Sequence, residues 1–431
     1  MSSEDSGAPL AIDSGAPAAD TGAPAQKEDS GVSPEAGGNA DSGAAPDSAP
    51  VLPTGTAIVR VHYPASSHAV TVRGAAGGLN WTTGQPMTAS GDTYSYSLTN
   101  VTTAVEWKPL LDDTTWAIGP NYHVSPGQTV DIYPHFTTMT GQVQTLIATF
   151  HSTVLNDDRA IYAYLPASYT ENTDATYPVV YMHDGQNLWA ALPQLAFSGT
   201  WNVDTTFDTA SQTGACSSGG VVGWGAQSLG GTAVTCNGDT DCPSAECRTF
   251  PEAIVIGVAN DANRVYEYTP TVDPTETSLG PAGGADQYLQ MLVQELKPTI
   301  DGMLRTRPDV ASTAMAGSSL GGLVTAYAGL KYPSVYGMVA ELSPSTWWDS
   351  DVIVGDVAGT GATRPLIVYV DSGQGTVDDE ADTDMLASTY LTLGYVSGTN
   401  FRHVIQPNAA HSETYWSQRF PGAMQLVLGT R

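Results

Sequence analysis

Residues 141–431 are predicted to form an α/β domain, an open and mostly parallel sheet wound on both faces by helices, behind an all-β sandwich over 53–140 and a disordered tail over 1–52. Three observations predict this. The apolar runs at 177–182, 253–258 and 366–370 are continuous, as in strands buried on both faces. The stretches at 288–300 and just after Ser319 read as helices between such strands. Residues 54–136 instead alternate, as in Ala57-Ile58-Val59-Arg60-Val61 and Thr93-Tyr94-Ser95-Tyr96-Ser97-Leu98, with Gly, Asn and Pro turns between them.

The first 52 residues are almost entirely Ser, Gly, Ala, Pro and Asp, with DSGAP at 13–17, DTGAP at 20–24 and DSGAA at 41–45 as loose repeats. So little apolar surface cannot offset the entropy of ordering, so the segment is expected to be a flexible acidic linker, either a stalk or an inert tail. Net charge is −29, from 15 basic and 44 acidic residues, which excludes a surface that tracks a phosphate backbone. Nucleic acid is therefore not an expected partner. No run of 18 or more apolar residues exists, so no transmembrane segment is predicted.

All four cysteines, Cys216, Cys236, Cys242 and Cys247, fall within one Gly- and Ser-rich insertion at 208–250. Two local disulfides and an oxidising compartment are the expectation, since the spacing lacks the paired short intervals of zinc ribbons and no His lies nearby. A secreted or cell-surface location follows. Met1 runs straight into tail sequence without a signal h-region, which leaves two readings: a signal or lipoprotein segment with its lipid anchor was removed, or export is not written in these residues.

In the sandwich, Trp81, Trp107 and Trp116 lie within forty residues. An exposed indole stacks on the C–H edges of a sugar ring; a buried one is core, and both readings are kept here.

The chemistry centres on Gly317-Ser318-Ser319-Leu320-Gly321, which follows a strand-like stretch and opens a helix-like one. This is G-x-S-x-G in the strand-turn-helix setting of a nucleophile elbow, which makes the sheet an α/β-hydrolase sheet and Ser319 the nucleophile. A serine needs a base, and in this fold the order is Ser, acid, His. Only His403 and His411 follow Ser319. His403 sits inside a probable strand, His411 in the loop after it, so His411 is preferred. The acid should end the strand at 366–370 or lie just beyond it. Asp378 is chosen, with Asp379 next and Asp371 and Asp382 as rivals. The oxyanion amides are expected from Leu320 and, in the loop after 177–182, from Gln186, with Gly185 as the alternative. His183 and Asp184 should organise that loop by hydrogen bonds.

YPVVYMHDGQNLW (177–189), the Trp201 segment, NRVYEYTP (263–270), GSSLGGL (317–323), LSPSTWW (342–348) and HSETYW with Arg419 together resemble the esterase family that includes enterochelin esterases, feruloyl esterase domains, esterase D and, more distantly, mycolyltransferases. The resemblance implies a serine carboxylic-ester hydrolase with Ser319, Asp378 and His411 as the triad, Gln186 and Leu320 as oxyanion amides, and no metal or organic cofactor. It brings Trp201, Arg264, Glu267 and Trp347 near the substrate. The 208–250 insertion departs from the family pattern and is expected to act as a lid. VRGAAGGLNW (72–81) and EWKPLLDD (106–113) are similar to starch-binding-like modules, which points to a polysaccharide surface and to feruloyl or acetyl esters on it. The rival expectations are acyl transfer to a sugar, siderophore-ester hydrolysis, and sugar binding on an inactive scaffold.

Overall fold

The computed structural model describes residues 53–197, 199–218, 221–222, 235–242 and 246–430; the expected tail over 1–52 lies outside them. The continuous apolar runs become the inner strands of an eight-stranded sheet. Its strands are β1 (Gln142–Ser152), β2 (Asp157–Leu165), β3 (Val179–Met182), β4 (Ile254–Val258), β5 (Thr313–Ser319), β6 (Met338–Pro344), β7 (Ile367–Gly373) and β8 (Phe401–Gln406), in the order 1-2-4-3-5-6-7-8. Only β2 runs against the rest, pairing antiparallel with both β1 and β4. This is the α/β-hydrolase arrangement.

Side chains on the two sheet faces feed two separate cores. Val179, Tyr181, Ile254, Ile256, Val339 and Val368 pack beneath α2 (Ala285–Met291), a π turn at Leu292–Leu296, α3 (Lys297–Met303), α4 (Leu320–Lys331), α5 (Trp348–Ala358) and α6 (Glu380–Thr392). Val180, Met182, Val255, Ala316 and Leu342 pack on the other face, against α1 (Val203–Gln212) and α7 (Glu413–Val427). Each strand's period of two thus serves both layers, which is why these strands read as unbroken apolar runs.

One core position carries an acid. Glu341, in the middle of β6, is fully buried; Tyr390 of α6 donates to its Oε1 at 2.9 Å, and Oε2 has no hydrogen-bond partner among the described residues. Burial pushes its carboxyl up to about 8, against the pull of the Tyr390 hydroxyl. Between the ordinary carboxylate range and pH 8 the folded chain therefore holds a proton that the unfolded chain releases. Stability conferred by the neutral acid is present at low pH and is lost as pH rises through that window. Glu341→Gln should raise the thermal midpoint by several degrees at pH 9 and change it little at pH 5. An equal shift at both pH values would disprove the linkage.

Ahead of the sheet, Thr56–His62 pairs with Thr93–Thr99 and Thr129–Ile132, and Val70–Gly74 pairs with Val105–Leu111. The two sheets of this sandwich close on Val59, Val61, Val72, Leu98 and Trp107. The sandwich is bonded firmly to the hydrolase sheet's flank. Asn172 Nδ2 donates to the carbonyls of His62 and Pro134, and Glu171 accepts from the backbone N–H groups of Phe136, Thr137 and Thr138. Burial raises the Glu171 carboxyl, but the Thr137 hydroxyl and these amides outweigh it and hold it down to about 2.

The cysteines pair as Cys216–Cys242 and Cys236–Cys247. The described part of the insertion leans on the sandwich: Asp239 N–H donates to Glu106, Asn121 N–H to the Asn237 carbonyl, and His123 Nε2 lies 2.9 Å from Asp239. These contacts brace the described part of the insertion on the sandwich, while residues 219–220, 223–234 and 243–245, over which the lid is also expected, lie outside the described residues.

Candidate active site

Ser319 ends β5 and α4 begins at the next residue. Its backbone sits at φ 59° and ψ −129°, a region side chains rarely adopt, so the fold spends stability to hold this hydroxyl at the strand tip. Gly317 explains how the turn closes. A Cβ there would stand 2.6 Å from the Gly321 carbonyl oxygen and 2.7 Å from the His183 ring. Ser319 Oγ is 3.5 Å from Ser345 Oγ, and the Ser345 N–H bonds back to the Ser319 carbonyl at 3.0 Å.

On the neighbouring strand ends the structure brings Asp378 and His411 together. Asp378 follows β7 through the short turn Gly375–Val377, and its Oδ1 meets His411 Nδ1 at 2.6 Å. The carboxylate is fully buried while the imidazole is 34% exposed, so the pair presents its histidine end outward. Burial raises the Asp378 carboxyl, yet bonds from His411, Ser343 and the Gly373 N–H, with the charge of Arg419, hold it below the usual carboxylate range. An ionised acceptor on Nδ1 places the imidazole proton there and leaves Nε2 with its lone pair free. The ring stands edge-on to Trp416, with centroids 5.0 Å apart.

The rival residues are occupied elsewhere. Asp371 is buried in an ion pair with Arg419 and accepts the Ser343 N–H. Asp379 precedes α6 with a left-handed backbone, and its charge acts on Asp382. His403, in β8, faces Asp384 at 3.6 Å.

The loop after β3 is built to approach the elbow. Gly185 packs against β4 so closely that a Cβ would lie 2.5 Å from the Gly257 carbonyl carbon. The turn Gly185–Asn187 closes by Asn187 N–H to the Asp184 carbonyl, a bond that does not use the Gln186 amide. The Gln186 side chain is tied to Asn260 by bonds of 2.8 and 3.3 Å. Leu320, the first residue of α4, has an N–H with no carbonyl inside its own helix. Asp184 holds the loop through a forked pair with Arg264 at 2.8 and 2.9 Å and a short bond from Asn260. His183 bonds Tyr288 at 2.9 Å and its ring lies against Gly317 and Gly321. Burial pushes its imidazole down to about 4, so it stays neutral.

The expected substrate contacts divide. Glu267 is buried and gives its carboxylate to Arg159 at 2.7 and 2.9 Å, and Trp201 is buried against Trp416 and Phe420. Arg264 is committed to Asp184 but stays partly exposed, and Trp347 is half-buried beside Trp348. Ser343 and Arg419 were given no role from sequence, although they surround Asp378; their partners lie dozens of residues away and leave no local pattern.

Residues 242–426 match the model of the family described as "Putative esterase". A curated protein of Bacillus subtilis, the uncharacterized protein YbbA, is 26% identical over 190 residues, 42% of this chain and 75% of that protein. The siderophore enterobactin esterase of Emericella nidulans is 30% identical over 99 residues, 21% of this chain, and the chain spans only 33% of that enzyme's length. Among solved structures, an IroE-like serine hydrolase from Shewanella oneidensis is 20% identical, with 66% of this chain and 79% of that one covered at a TM-score of 0.44. The enterobactin esterase FES from Shigella flexneri is 14% identical, with 84% and 87% covered at a TM-score of 0.44.

Proposed function

We propose, for a chain whose residues 242–426 match the esterase family model, a two-step acyl transfer on Ser319. Ser319 Oγ attacks the ester carbonyl while His411 Nε2 takes its proton. The oxyanion is held by the amides of Gln186 and Leu320, and Asp378 stabilises the imidazolium. His411 returns the proton to the leaving alcohol. Water, deprotonated by His411, then cleaves the acyl-enzyme to release the acid and restore Ser319. The observation that carries this reading is the 2.6 Å bond between buried Asp378 and partly exposed His411, in the loops at the same C-terminal ends of the parallel strands that carry the strained Ser319.

The substrate class we favour is an acyl ester, feruloyl or acetyl, on an extracellular polysaccharide. Two disulfides support an oxidising compartment. Trp107 is core, but Trp81 and Trp116 lie 6.2 Å apart on the sandwich surface, and the Arg73 guanidinium is 5.2 Å from the Trp116 ring. Two partly exposed indoles of this kind can carry a sugar chain. The 30% identity over 99 residues with a siderophore enterobactin esterase favours a second reading, a siderophore ester.

A panel of feruloyl, acetyl and siderophore esters, with nitrophenyl acetate as reporter, tests the proposal. A burst of one nitrophenol per chain should precede steady turnover, and feruloyl or acetyl sugar esters should outrank the siderophore. Absence of turnover across the panel would sink the esterase reading, and acyl sugar exceeding free acid would convert it to a transferase. Trp81→Ala with Trp116→Ala should abolish retention on insoluble polysaccharide and leave nitrophenyl acetate turnover intact; unchanged retention would remove the sugar platform.

A further inference from the structure

We infer that Ser343, oriented by Arg419 and Trp416, is the positioning residue that holds Asp378 as an acceptor-only carboxylate and so selects the tautomer of His411. The inference rests on the acyl-transfer reading above. Ser343 lies near the end of β6 with an unusual left-handed backbone, φ 39°, which turns its side chain into a fully enclosed space.

Three bonds meet on its hydroxyl. Trp416 Nε1 donates to Oγ at 3.0 Å, Arg419 Nη2 donates to it at 2.6 Å, and Oγ donates to Asp378 Oδ2 at 2.7 Å. A serine hydroxyl has one proton and two acceptor sites. An indole N–H and a guanidinium can only donate, so they occupy both acceptor sites and leave the proton a single destination, Asp378 Oδ2. That oxygen also receives the Gly373 N–H, with Arg419 Nη2 at 3.5 Å. A carboxyl oxygen that accepts from this many donors cannot carry a proton of its own. The guanidinium of Arg419 beside the group favours the anion over a proton on the other oxygen, so Oδ1 accepts from His411 Nδ1–H, which leaves Nε2 as the base.

Arg419 is itself immobilised, fully buried, by Asp371 at 2.9 Å from its Nε and by Gln406 Oε1 at 3.0 Å from its Nη1. Asp371, a rival for the acid from sequence, thus acts one step removed, as the counter-ion of the arginine that orients Ser343. Direction passes from Arg419 to Ser343 to Asp378, and the chain of bonds ends at the imidazole.

A double-mutant cycle in the full-length protein separates this from a packing role. Ser343→Ala is expected to lower kcat about 10- to 100-fold, the weight of a hydrogen bond to a charged group, with KM nearly unchanged. In an Asp378→Asn background the same change should cost less than about 3-fold, because the two residues act as one unit. Equal losses in both backgrounds, or no loss in the first, would overturn the inference. An Asp378→Asn enzyme with full kcat would instead remove the acid assignment, a different failure. Should Ser343→Ala not fold, Trp416→Phe deletes one donor and keeps a ring beside His411. It should lower kcat about 3-fold or more in the native background and leave Asp378→Asn unchanged, and equal effects in both would again count against the inference.

Discussion

Ser319→Ala is expected to lower nitrophenyl acetate turnover by about 10⁴-fold or more while leaving the thermal midpoint within a few degrees of wild type. The loss should be this large because no neighbouring group can replace the nucleophile. Ser345, whose hydroxyl is 3.5 Å from Ser319 Oγ, follows β6 and is not on the elbow. The fold should tolerate the change because the turn closes through the close approach of Gly317 to Gly321, and among the described residues the serine hydroxyl makes one long hydrogen bond. A fluorophosphonate probe should label wild type once per chain and the variant not at all. Retained turnover in a folded variant would move the nucleophile elsewhere, and absence of both turnover and labelling in wild type would identify the domain as an inactive scaffold.

The second large effect is expected from Asp378→Asn, a loss in kcat of about 10³- to 10⁴-fold with little change in KM. The reason is geometric. Ser343 Oγ–H and Gly373 N–H both point at the Oδ2 position, so an asparagine there must turn its carbonyl oxygen toward them and its NH₂ toward His411. The imidazole would then accept at Nδ1 and carry its proton on Nε2, the tautomer that cannot take the Ser319 proton. His411→Ala should show a loss of similar order. Asp379→Asn and His403→Ala should each stay within about 3-fold of wild type, since neither touches the pair. A larger deficit in His403→Ala than in His411→Ala would reverse the assignment of the base.

These two variants differ in how far ahead of the structure they could be chosen. Ser319 was legible because the elbow is made by neighbours in sequence: glycines at 317 and 321 admit the tight turn, and an apolar strand and helix flank it. Asp378 was one of several acids in the stretch 371–382, all with similar local surroundings. What separates them is which oxygen lies beneath His411, and that depends on how β7, β8 and the loops after them come together. The partners of Glu267 and Trp201 were equally hidden in sequence: Arg159, 108 residues distant, bonds Glu267, and Trp416 and Phe420 of α7 pack on Trp201.

The sequence by itself determined the layer order, the two-faced burial of the strands, the elbow at Ser319 and the clustering of the cysteines, because each arises from the local chemistry of backbone, period and turn. Only the tertiary structure decided which carboxylate bonds His411, the bracing of the described part of the insertion on the sandwich, the burial of the protonated Glu341 carboxyl, and the hub at Ser343. Hydrogen-bond direction and burial are properties of groups brought together from distant parts of the chain. Ser343, Asp378, His411, Trp416 and Arg419 become one site only when the strand ends and α7 converge.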